Sequence, residues 1–297
     1  MNSRLLILVA ILTIGLFAEP KETKLPIYKY ALLVSQGTTD ALEISNHLRG
    51  QIIQSKRGDF IYVSDPMFSG DEKLNVNAII EEKAEIKVAE KLILLKDQGS
   101  MTSIQLYDIE SGNLEYKNSL PSSMHKTLFQ DFYAHIDKKN IYLALSEKKS
   151  SPSAPIKITA LKSKYVAGEP LRFELEVEED HYVYVLLVPE SKQEDPVLIF
   201  PNSTQTANFL KKGEKVTIPE NLGSLRTAPP FGKDKIKAFA SKEAWDEFQF
   251  KNKKGDSFFK LLPPALTSSK SIIVSEVTTQ MLKDVEVAEW EITIAPN

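Results

Sequence analysis

Hydrophobic and polar positions along this chain follow two periods in turn. Tyr30-Ala31-Leu32-Leu33-Val34 is an unbroken apolar run, the pattern of a buried strand. Between Asp40 and Ser55, residues Ala41, Ile44, Leu48 and Ile52 recur at three- and four-residue steps. That spacing predicts an amphipathic helix, with Asp40 and Glu43 placed as a capping pair. Phe60-Ile61-Tyr62-Val63 predicts a second strand, stopped by Asp65-Pro66. Asn75 to Glu90 predicts a second helix whose apolar content is Ile79, Ile80, Ile86 and Val88. Leu92 to Leu95 predicts a third buried strand. Thr102 to Ile109 and Leu114 to Ser119 read as short strands joined across Glu110-Ser111-Gly112-Asn113, a hairpin signal. Met124 to Asp137 closes the series as a helix, with a stripe of Leu128, Phe129, Phe132, Tyr133 and Ile136. The order β-α-β-α-β-β-β-α predicts an α+β domain over residues 28–145, a mixed sheet with helices packed on it.

Ser146 to Pro155 is polar and proline-bearing and reads as a linker. Beyond it the period is two. Leu171-Arg172-Phe173-Glu174-Leu175-Glu176-Val177 puts apolar side chains on one face and charges on the other. Further strands are expected near 156–161, 181–188, 197–200, 215–218, 235–240, 271–276 and 289–294. Residues 156–297 are therefore expected to form an all-β antiparallel sandwich. Ser241 to Phe250 is expected as a short helical insertion, because Trp245 and Phe248 lie three apart behind a serine cap.

Composition narrows the class. The 297 residues suffice for about two domains, and 42% hydrophobic with 26% charged residues is a globular profile. A formal net charge of -3 gives no basic face for nucleic acid. Cysteine is absent, which excludes disulfides, a thiolate nucleophile and thiolate metal sites. Residues 1–18 have the make-up of a signal peptide: Arg4, then an apolar run from Leu5 to Phe17, then Ala18 at the expected cut. The run is shorter than the ~20 residues a spanning helix needs. The expected location is exported, periplasmic or secreted, with no integral membrane segment after cleavage. Peripheral association with the outer membrane through a partner stays open.

No constellation for catalysis stands out. His47, His125, His135 and His181 fall in no paired metal-ligand spacing. Ser35-Gln36-Gly37-Thr38-Thr39-Asp40 lacks the endings of phosphate-binding loops and reads as a turn with helix caps. Glu178-Glu179-Asp180 reads as a solvated strand end, and no serine nucleophile elbow occurs. The expectation is a non-enzyme with no catalytic residues, cofactor or metal.

Two resemblances add to this. The element order of the first domain, with Leu106-Tyr107-Asp108-Ile109-Glu110-Ser111-Gly112 at its hairpin, resembles the amino-terminal domain of TolB. The related periplasmic domain of curli-secretion and penicillin-binding-protein-activator proteins is similar. That resemblance implies a docking and assembly module. The second domain resembles a bacterial domain-of-unknown-function family. Its carriers are Ala167-Gly168-Glu169, Asp180-His181-Tyr182-Val183-Tyr184, Leu198-Ile199-Phe200-Pro201-Asn202, Gly213-Glu214 through Ile218-Pro219, and Pro229-Pro230-Phe231-Gly232 before Ala238-Phe239-Ala240-Ser241. That resemblance implies an accessory module and carries over no catalytic residue.

Together these readings describe an exported, non-enzymatic envelope protein that docks to other envelope proteins. Two alternatives stay open: a carbohydrate- or peptidoglycan-binding module, with a glycan as partner, and a hydrolase whose carboxylates converge between the domains. Tyr182 and Tyr184 share a strand face and can stack on a sugar or peptide, though aromatics in a sandwich more often fill its core. Trp245 is a third candidate. Phe258 and Phe259 lead an apolar loop that, if exposed, would dock a partner.

Overall fold

The computed structural model describes residues 27–35, 39–68, 75–160, 162–190, 194–220, 225–245, 249–251, 260–262 and 282–296. The expected signal peptide at 1–18, the docking loop at Phe258 and Phe259, and the strand at 271–276 lie outside the described residues. So do residues 36–38 of the Ser35–Asp40 turn and the side chain of Asp40.

The first lobe is built on a mixed sheet. Its strands are β1 (Lys29–Ser35), β2 (Asp59–Phe60), β3 (Met67–Phe68), β4 (Lys91–Asp97), β5 (Met101–Asp108) and β6 (Leu114–Pro121). The order is β2-β1-β4-β5-β6, with β3 also beside β1. Strands β1 to β4 pair in parallel, and β4-β5-β6 continue antiparallel. Helices α1 (Thr39–Gln54) and α3 (His125–Glu147) cover one face, where Leu48, Ile52, Phe129, Phe132 and Ile136 meet Leu32, Ile93 and Ile104. Helix α2 (Val76–Glu82) and the turn that follows it cover the other, with Val76, Ile80 and Ile86 against Leu33 and Leu92. Central strands buried on both faces need the unbroken apolar runs that β1 and β4 carry.

Helix α2 is shorter than its pattern predicts. It ends at Glu82, Lys83 leaves helical geometry, and a 3-10 turn follows over Ala84–Val88. A helix continuing the buried face of Val76, Ile79 and Ile80 would need an apolar residue at 83, and the chain offers Lys83 there. The Lys83 ammonium instead reaches the Asp65 backbone oxygen at 2.7 Å.

The second lobe is a sandwich of two sheets. Its strands are β7 (Ile156–Ala160), β8 (Lys164–Val166), β9 (Phe173–Val177), β10 (His181–Val188), β11 (Val197–Phe200), β12 (Phe209–Leu210), β13 (Lys215–Ile218), β14 (Gly232–Ser241) and β17 (Glu286–Ala295). The larger sheet runs β11-β10-β14-β17-β8, with β12 also on β10, and the smaller runs β13-β9-β7. Pairing is antiparallel except where β17 meets β8 in parallel. The inter-sheet core holds Phe173, Leu175, Val183, Val185, Ile236 and Ile292. Strands β15 (Gln249–Lys251) and β16 (Lys260–Leu262) form a separate hairpin. Among the described residues of the stretch Ser241 to Phe250, none is helical: Ser241 ends β14, residues 242–245 form no regular element, and residues 249–251 are strand, with Ser241 Oγ donating to Glu243 O.

Candidate functional site

Helix α3 extends ten residues past Asp137, where its stripe suggested an end, and joins the lobes. Its second half carries Ile141, Tyr142, Ala144 and Leu145. These pack on the outer face of the larger sheet, against Tyr184, Leu186, Val188, Phe239 and Trp245. Strand β10 is therefore buried on both faces, which its run His181-Tyr-Val-Tyr-Val-Leu-Leu-Val188 allows. Lys237 of β14, only 2% exposed, donates to the backbone oxygens of Ser146 and, at 2.8 Å, Lys148. A cation on the free carbonyls at a helix C-terminus is favourable there. Lys148 in turn donates to Leu282 O at 2.7 Å.

Beside this joint lies a cleft of about 670 Å³. One wall is the β5–β6 turn and the start of β6, with Asn113, Leu114 and Glu115. Lys139 of α3 lies between the walls, and Glu194 to Val197, leading into β11, form the far side. The turn is built by its own sequence. Asp108 Oδ1 accepts from the Ser111 N–H at 2.9 Å and the Ser111 hydroxyl at 2.8 Å, and Gly112 takes φ 69°. The hairpin motif read from the sequence thus leads directly into Asn113 to Glu115, one side of the cleft.

Ion pairs line it. The Lys91 ammonium lies 2.9 Å from Asp108 and 2.8 Å from Glu115. Lys138 and Lys139 share the Asp195 carboxylate at 2.7 and 2.8 Å, tying α3 to the second lobe. Burial alone would raise the Asp108 and Asp195 carboxyls, but Lys91 with the two Ser111 hydrogen bonds on Asp108, and Lys138 with Lys139 on Asp195, outweigh it and hold both below the usual range. His135 packs on the Tyr116 ring at 4.8 Å. Burial first, then the Lys139 and Lys138 charges, push its pKa down to about 4, so it is neutral at pH 7.

The aromatic candidates separate. Tyr184 and Trp245 are 2% and 3% exposed and stack face to face at 3.9 Å, and the Trp245 backbone N–H donates to Tyr184 Oη at 2.7 Å. Both ring faces are closed to solvent, so neither presents a platform for a sugar or peptide. Tyr182 is half-buried against Phe209, at 4.9 Å between ring centroids, and Phe209 is 44% exposed. Phe209 is not among the residues that the sequence singles out. Its neighbour across the β10–β12 ladder, Tyr182, is visible only in three dimensions. No group of three or more metal-ligating side chains is placed to hold an ion among the described residues. Nor is any helix among them long and apolar enough to cross a membrane.

The quoted second-lobe motifs are turn-builders. Gly168 takes φ 84°, and the Glu169 carboxylate accepts from Val166 N at 2.8 Å. Phe200-Pro201 is a cis bond, and Asn202 Oδ1 then accepts from the backbone N–H groups of Thr204 and Gln205. Residues 164–244 match a protein family described as "Domain of unknown function (DUF4384)", which supports the resemblance to a domain-of-unknown-function family that the motifs carried. No curated protein matches the chain. Among solved structures, the crystal structure of TolB from Acinetobacter baumannii is similar at 11% identity and a TM-score of 0.26, over 74% of this chain and 56% of that one. At that score the likeness has no weight for fold or function.

Proposed function

We propose that the chain is an exported, non-enzymatic envelope protein that docks protein partners as a rigid two-lobed adaptor. The observation that carries this reading is α3, one helix seated in the cores of both lobes, which holds the cleft walls in fixed relation. The signal-like first eighteen residues and the docking role that the first lobe's family resemblance implies support it. The test is site-specific photo-crosslinking in the cell envelope, with the crosslinker at Leu114 or Val197 and a control at Leu42 on α1. One dominant protein adduct from the cleft positions alone is expected. Equal adducts from all three positions, or robust turnover of an envelope substrate by the purified chain, would overturn the reading.

A second reading rests on the exposed ring of Phe209 beside Tyr182, a pair able to stack on a sugar. Phe209→Ala would then abolish peptidoglycan pull-down at an unchanged melting temperature. Undiminished pull-down by that variant would remove this reading.

A further inference from the structure

The first-lobe sheet ends on an open edge. Strand β6 pairs with β5 alone among the described residues. It is 8 residues long, whereas the other terminal strands of the two lobes, β2, β7, β8, β11 and β13, have 2 to 5. Folded proteins keep exposed edges short, charged or covered, because a row of unpaired N–H and C=O groups is a template for another strand. The groups on this edge can be assigned. Ser122 N–H donates to Ser100 O at 3.0 Å, which sets the alternation back along β6. Leu120, Asn118 and Tyr116 turn their backbone groups to β5, and Ser119 and Lys117 turn theirs outward. Asn118 Oδ1 takes the Ser119 N–H at 2.8 Å. The Lys117 N–H and C=O and the Ser119 C=O have no such partner among the described residues. Lys117 is exposed, and its ammonium makes no hydrogen bond or ion pair among the described residues. At the far end Pro121 lies opposite Met101 and the chain runs on to Met124, all three exposed.

We infer that β6 receives a further strand, an extended segment of a docking partner with a carboxylate opposite Lys117 and an apolar residue four positions along, beside Pro121 and Met101. Backbone pairing holds such a segment, and the side chains at alternate positions select it. Lys117 and Pro121 lie on one face of the strand, which fixes the spacing of the two selecting positions. An exposed cation without a counter-ion favours the opposite charge directly across an antiparallel pair and disfavours its own. A second copy of this chain offers no free carboxylate on the same edge, since Glu115 is held by Lys91 at 2.8 Å. The inference rests on the adaptor reading for its class of partner, and adds where that partner binds and what its segment carries.

The test is photo-crosslinking in the cell envelope with the crosslinker at Ser119 of the full chain, followed by mapping of the residue it joins by mass spectrometry. Expected is one adduct, in a segment with Asp or Glu about two residues from the joined position and an apolar residue about four from that acid. Lys117→Glu should cut the adduct about tenfold, as like charges replace opposite ones, and Lys117→Arg should keep it. Exchanging the mapped acid for lysine should restore the adduct to the Lys117→Glu chain. Lys117→Pro removes an outward N–H, which an edge strand tolerates, and should abolish the adduct at an unchanged melting temperature. No adduct from Ser119, an adduct to a second copy of the chain, or one that Lys117→Glu leaves undiminished overturns the proposal. Adducts from Leu114 and Val197 with none from Ser119 would remove the added strand and leave the adaptor reading standing, so the two failures are distinguishable.

Discussion

Tyr184 and Trp245 show how a single ring can be read two ways. An aromatic on a strand face is a platform when uncovered and a core residue when something lands on it. Here α3 and Leu282 land on it. Trp245→Ala should therefore cost about 3–5 kcal/mol in urea denaturation, the range for emptying a buried aromatic site. Tyr184→Phe should cost about 1 kcal/mol, one hydrogen bond to the Trp245 amide. A Trp245→Ala protein of unchanged stability would show that the stack is not core. His135 gives a pH signature. Its native pKa of about 4 lies below the unfolded value near 6.5, so the unfolded chain binds a proton first as pH falls. The stability present above pH 6.5 is lost between there and about 4, by roughly 3 kcal/mol at most. His135→Gln should flatten that part of the stability profile, and a profile identical to the parent's would refute the assignment.

At the scale of elements, strand β9 and helix α1 were legible because their periods are pure. Helix α3 was only half legible. The stripe Leu128, Phe129, Phe132, Ile136 gives way to Ile141, Tyr142, Leu145, which lies about half a turn round the helix. The two halves face different lobes, and a pattern that changes face reads as an ending. The cleft was illegible for a related reason. Its walls come from residues 113–115, 139 and 194–197, and nothing in sequence spacing announces that they meet. What pins α3 to the first lobe is also distant in sequence. Arg57 meets Asp137 in a buried two-bond pair at 2.7 and 2.8 Å and lies over the Tyr133 ring. Burial raises the Asp137 carboxyl, and Arg57 is the group opposing that. Arg57→Met strands the carboxylate and should cost about 3–5 kcal/mol, measured by guanidinium unfolding. A cost below 1 kcal/mol would mean the pair is not buried in solution.

For the whole molecule, the shared helix makes a claim about cooperativity. Two lobes joined by a flexible linker unfold separately, whereas lobes that share a packed helix and its cap unfold together. Both tryptophans, Trp245 and Trp290, lie in the second lobe, so fluorescence reports that lobe. The described α-helices belong to the first lobe and the joint, so far-UV circular dichroism weights the other half. The two probes should give one coincident denaturant midpoint. Lys237→Met removes the cation from the α3 carbonyls, leaving those of Ser146 and Lys148 without that donor. It should lower the fluorescence midpoint first and pull the two curves apart, at a cost of about 1–3 kcal/mol. Separate midpoints in the parent protein would mean that the lobes are independent. The cleft would then lack fixed walls, and a rigid adaptor would lose its physical basis.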